Sequence, residues 1–147
     1  TFPSSDLQFS AHLLGLKSKL LNYQGSDYSA NALNEAEVLL KQLYRQFPTQ
    51  VPKEAEYLRK AGAEVRFRLA ERMWDRAKRR DRRSENGAAR LYYESILADY
   101  GDTPFAADAR QRLQQISLEP DVPTQPLSWF VNLFPETDTV KPLIESN

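Results

Sequence analysis

Residues 36–52 read AEVLLKQLYRQFPTQVP, and residues 89–104 read ARLYYESILADYGDTP. Aligned without gaps, Ala36 meets Ala89, Val38 meets Leu91, Leu40 meets Tyr93, Leu43 meets Ile96 and Phe47 meets Tyr100. Within each stretch the apolar positions recur at four, three and four residues, the period of one helix face. Each ends in a short turn and a proline, Pro52 or Pro104, placed to open a further helix. A unit of this kind cannot bury its apolar face alone, so its repetition predicts stacked helices.

The same punctuation extends outward. Phe9, Leu13, Leu16 and Leu20 predict a helix from about residue 6 to 23, closed by a Gln24-Gly25-Ser26-Asp27 turn. Phe47-Pro48 closes the second helix, because the residue before proline is driven out of the helical region. A long third helix runs from about Pro52 to Arg80. It carries two stripes, Leu58-Gly62-Val65-Leu69-Met73 and Ala63-Phe67-Ala70-Trp74-Ala77, read as lying on nearly opposite sides. Two apolar faces mark a helix sandwiched between neighbours. Gly101 is expected to cap the fourth helix in the left-handed conformation. Thr103 and Pro104 are expected as N-cap and first position of the fifth, which runs to about Leu118.

Composition narrows the function. The 147 residues hold 20 basic and 20 acidic side chains, one histidine and no cysteine. Balanced charge disfavours a nucleic-acid partner. The missing thiols exclude disulfides, cysteine-zinc sites and thiol nucleophiles. No phosphate-binding or metalloprotease motif occurs, and no catalytic, cofactor or metal residue is assigned. Glu35/Glu37 and Glu54/Glu56 lie two apart, on different sides of a helix. His12 sits one position off the first apolar stripe and reads as a surface or boundary residue. No apolar run reaches the ~20 residues of a membrane span. The chain opens on Thr1, so a processed or cut N-terminus is expected, and any membrane anchor lies upstream.

Residues 89–109, with Leu91-Tyr92-Tyr93, Asp99-Tyr100-Gly101-Asp102-Thr103-Pro104, Ala106 and Ala109, resemble the tetratricopeptide repeat. They are most similar to its branch of BamD-like outer-membrane assembly lipoproteins. Arg68-Leu69-Ala70-Glu71-Arg72-Met73-Trp74 is similar to that family's preceding helix. The resemblance covers residues 31–118. It implies an all-α solenoid of antiparallel helix hairpins, about five helices in residues 1–118, that binds a protein or peptide. It also implies an extracytoplasmic, periplasmic setting at an outer membrane. The repeat offset exceeds the ~34 residues of the ordinary unit, because the third helix is overlong.

Residues 119–147 form a separate arm with five prolines, five acidic residues and one lysine. Within it, residues 127–134 (LSWFVNLF) are sharply apolar. Trp129, Phe130, Leu133 and Phe134 must be covered, either by docking in the chain's own groove or capping its open end, or by a partner or a second copy. Trp74 and Tyr92 are further candidates for a partner groove, against the reading that aromatics at helical spacing are core. Arg79, Arg80, Arg82 and Arg83 form a basic run that suits an anion. The same run suits a solvated helix end, where cations are favoured.

Overall fold

The computed structural model describes residues 3–122. Among them are five α-helices and no strand: α1 (Pro3–Leu21), α2 (Asn31–Gln46), α3 (Ala55–Asp81), α4 (Asn86–Asp99) and α5 (Phe105–Ile116). The fold is all-α, as expected.

Helices α1 and α2, α3 and α4, and α4 and α5 run antiparallel, which their side-chain pairings show. Phe9 meets Phe47 at 5.7 Å between α1 and α2, while Lys19 near the end of α1 pairs with Glu35 near the start of α2. Trp74 meets Tyr93 at 5.4 Å. Arg66, earlier on α3, reaches the Asp99 carbonyl at the end of α4. Arg90 on α4 reaches the Ile116 carbonyl at the end of α5. Phe67 meets Phe105 at 5.2 Å and Asp81 meets Arg112, so α3 and α5 advance in the same direction.

Two hydrophobic cores result. The first joins Phe9 and Leu16 of α1, Leu33, Ala36, Leu40 and Leu43 of α2, and Leu58, Ala61, Val65 and Leu69 of α3. The second joins Ala77 of α3, Ala89, Tyr93 and Ile96 of α4, and Ala106, Ala109 and Ile116 of α5. The long third helix is therefore the shared wall. Its 27 residues rise about 40 Å, enough to serve both cores in turn. Its two stripes are centred about 120° apart at 100° per residue, so they are not opposite. The angle suffices because the cores lie at different heights along the helix.

The helix ends differ from expectation in three places. Pro52 belongs to a short 3-10 turn, Val51–Glu54, and α3 begins at Ala55. Its i→i+3 bond runs from the Lys53 N–H to the Gln50 carbonyl at 3.0 Å. Gly101 is not the left-handed cap; among described glycines positive φ belongs to Gly25, at 123°. Gly101 is instead a close-approach site, where a Cβ would lie 3.1 Å from the Leu97 carbonyl oxygen. Thr103 does not cap α5, since its hydroxyl donates backward to the Tyr100 carbonyl at 2.7 Å.

The α3 C-terminus closes on a Schellman turn. Glu85 N–H donates to Arg80 O, and Ser84 N–H donates to Asp81 O. The turn puts Ser84 in the left-handed region at φ 56°, a conformation that costs an L side chain about 1 kcal/mol and glycine little. Ser84→Gly is expected to raise stability by about that 1 kcal/mol, read as a higher thermal midpoint by circular dichroism. An unchanged or lower midpoint would show that the turn is unstrained.

Candidate functional site

A concavity lies between α2 and α3. On α2, Glu37, Leu40, Lys41, Tyr44 and Arg45 recur at three- and four-residue spacing and so share one face. On α3, Leu58, Arg59, Gly62, Val65 and Arg66 do the same. Together they enclose a groove of about 560 Å³. Leu40, Leu58 and Val65 are buried and form its apolar floor. Gly62 leaves a gap in that floor, since no atom lies within 4 Å of where its Cβ would stand. Half-exposed Tyr44 supplies an aromatic wall.

The charges on the rim are unevenly satisfied. Glu37 pairs with Lys41 at 2.9 Å. Arg66 donates through Nε to Asp102 at 3.0 Å and through Nη2 to the Asp99 carbonyl at 2.9 Å. That guanidinium holds the Asp102 carboxyl below its ordinary range, chiefly through the hydrogen bond. Arg66 also lies over the Tyr100 ring at 5.7 Å, and burial raises the Tyr100 hydroxyl. Among the described residues, neither Arg45 nor Arg59 has an ion pair. A second depression of about 470 Å³ continues across Arg59 and Arg66 to Phe67, Asp102 and Pro104.

The candidates read from sequence fall elsewhere. Trp74 packs on Tyr93 and at 6.1 Å on Phe105. Tyr92 is half-buried beside the same second core. Neither lines the α2–α3 groove. The basic run is divided among local partners. Arg79 donates to Asp27 at 2.8 Å, and Arg80 donates to Glu85, whose carboxylate raises the Arg80 pKa. Lys78 sits over the Trp74 ring. Arg82 and Arg83 are exposed at the helix end. Trp129, Phe130, Leu133 and Phe134 lie outside the described residues. His12 is half-buried, its ring edge against Phe47 at 5.4 Å and its Nδ1 2.9 Å from the Gln8 carbonyl.

Sequence reading missed Tyr44, Arg45 and Arg59, and it took Gly62 for part of a core stripe. Among the described residues no group of three or more histidine, aspartate or glutamate side chains is placed to hold a metal ion. No described helix is long and apolar enough to cross a membrane. The arrangement is that of an all-helical protein with an apolar, cation-rimmed groove. No protein-family model matches the chain, and comparison with curated proteins and with solved structures finds no match.

Proposed function

We propose that this chain is a non-catalytic, tetratricopeptide-like scaffold that binds an apolar segment of a protein in the α2–α3 groove. The observation that carries the reading is the groove itself: an apolar floor with an aromatic wall, and two arginines left without ion pairs among the described residues. Such a site recognises by burying apolar anchors, while a few polar groups fix orientation. Antiparallel neighbours and the like direction of α3 and α5 support the helical-repeat reading. The resemblance of residues 31–118 to the BamD-like branch supports an extracytoplasmic role in an outer-membrane assembly complex.

A display library of random peptides tests the reading. Peptides enriched on the chain are expected to share aromatic or aliphatic anchors beside acidic residues. They are expected to bind Gly62→Trp at least about tenfold more weakly, a difference of 1.4 kcal/mol. A Cβ at position 62 faces open space, so the tryptophan is directed into the groove. Failure to enrich any peptide, or equal binding to Gly62→Trp, would overturn the groove as the site.

A further inference from the structure

We propose that the occupant of the α2–α3 groove is the chain's own segment 127–138, LSWFVNLFPETD, docked in cis; this rests on the groove being a peptide site. The chemistry of the two matches. The groove offers an apolar floor, and residues 127–134 place six apolar side chains within eight positions. The groove rim offers Arg45 and Arg59 without ion pairs among the described residues. The segment brings Glu136 and Asp138 directly after its apolar run, in an arm whose five acidic residues face one lysine. Opposite charges at the rim fix register and polarity.

The start of the arm is already aimed. Buried Asn86 donates through Nδ2 to the Glu119 carboxylate at 3.0 Å and to the Pro120 carbonyl at 2.9 Å. Gly87 N–H donates to the Asp121 carbonyl at 2.9 Å. Arg90 holds the Ile116 and Glu119 carbonyls and pairs with the Asp121 carboxylate. These bonds tie residues 116–121 to the first turns of α4. Gly87 is fitted to this path, since a Cβ there would stand 3.1 Å from that of Asp121.

The groove lies toward the other end of α4, where its rim residue Arg66 meets Asp99 and Asp102. The 14 residues of α4 rise about 21 Å. From Asp121 to Leu127, six extended residues span about 20 Å, close to the length of α4. The tether therefore brings the start of the apolar run to the Arg66 end of the groove without unpinning the clamp.

The absence of cysteine makes the test direct. In the full chain, the pair Gly62→Cys and Phe130→Cys is oxidised at low micromolar concentration. It is expected to close an intramolecular disulfide at least tenfold faster than the control pair Leu14→Cys and Phe130→Cys. Leu14 is a fair control because it is exposed and apolar on α1. Arg45→Glu with Arg59→Glu is expected to erase the advantage while leaving helicity unchanged. Equal rates for the two pairs, or a disulfide that forms only between chains, would overturn docking in cis.

A second readout separates this idea from the groove reading. A library-selected peptide should bind the full-length Trp129→Ser, Phe130→Ser, Phe134→Ser variant at least tenfold more tightly than the parent, because an occupied site lowers apparent affinity by the fraction that is free. Equal binding to both would overturn the arm as occupant and leave the groove reading intact. Binding to neither would overturn both.

Discussion

An Arg72→Ala variant is expected to unfold roughly 10 °C below the parent, a loss of about 3 kcal/mol in a domain of this size. Arg72 is 6% exposed at the join between the two cores. Its Nη1 donates to the carbonyls of Gly25, Ser26 and Tyr28 in the α1–α2 loop. Among the described residues no carboxylate pairs with it, so the loop carbonyls are the groups that satisfy the charge. Truncation takes the guanidinium away from the Ser26 and Tyr28 carbonyls, the Gly25 carbonyl keeping the Tyr28 N–H, and also removes the aliphatic stem that fills the join. Arg72→Lys keeps a charged donor and is expected to lose only part of the stability. Thermal and urea unfolding of both variants decide the matter. A loss under 1 kcal/mol for Arg72→Ala would show that water replaces the guanidinium at little cost.

Arg72 also shows what sequence reading weighs badly. It continues the register of Leu58, Val65 and Leu69, so it stands on a core stripe. A reading that looks for apolar types passes it over and selects Met73 beside it. The stripes of α2 and α4 were legible because burial follows the period: Ala36, Leu40, Leu43 and Phe47 are buried, as are Ala89, Tyr93 and Ile96. The groove was not legible. Tyr44, Arg45 and Arg59 look like ordinary exposed positions until α2 is laid against α3, and no local pattern sets that pairing. Gly62 carries the same letter whether it packs closely or leaves a gap. The helix ends were misjudged for another reason. Thr103 and Gly101 fit capping rules, but the Tyr100 carbonyl takes the threonine hydroxyl and the chain leaves α4 without a left-handed residue. Ser84, the residue that does adopt one, belongs to a type that seldom does.

Asp81 sets the second large effect, because three helices meet on one carboxylate. It ends α3, and its side chain is 14% exposed. Arg112 of α5 donates to it through Nε at 2.6 Å and Nη2 at 2.7 Å. The Tyr93 hydroxyl of α4 donates to it at 3.1 Å. Asp81→Ala strips both donors of their acceptor, and a cost of about 2–3 kcal/mol is expected, at and below the lower end of the about 3–5 kcal/mol for a broken buried pair, since Arg112 remains one-third exposed. The same contacts make the loss pH-dependent. The Arg112 hydrogen bonds, first, and then that of Tyr93 hold the Asp81 carboxyl below its ordinary 3.8, against the opposing effect of burial. A depressed folded pKa contributes stability that is present above the unfolded value and lost as pH falls through the folded one. Stability of the parent should therefore decline below about pH 5, and Asp81→Asn should show a shallower acid limb from a lower plateau. At the alkaline end the sign reverses. Burial first, and the Asp81 charge next, raise the Tyr93 hydroxyl well above its ordinary 10.0. Its contribution is complete below pH 10 and shrinks above it, so Tyr93→Phe should flatten the alkaline limb. Urea midpoints across pH 3–7 and pH 9–11 read both limbs. Coincident curves for parent and variants would show that this three-helix junction carries no stability of its own.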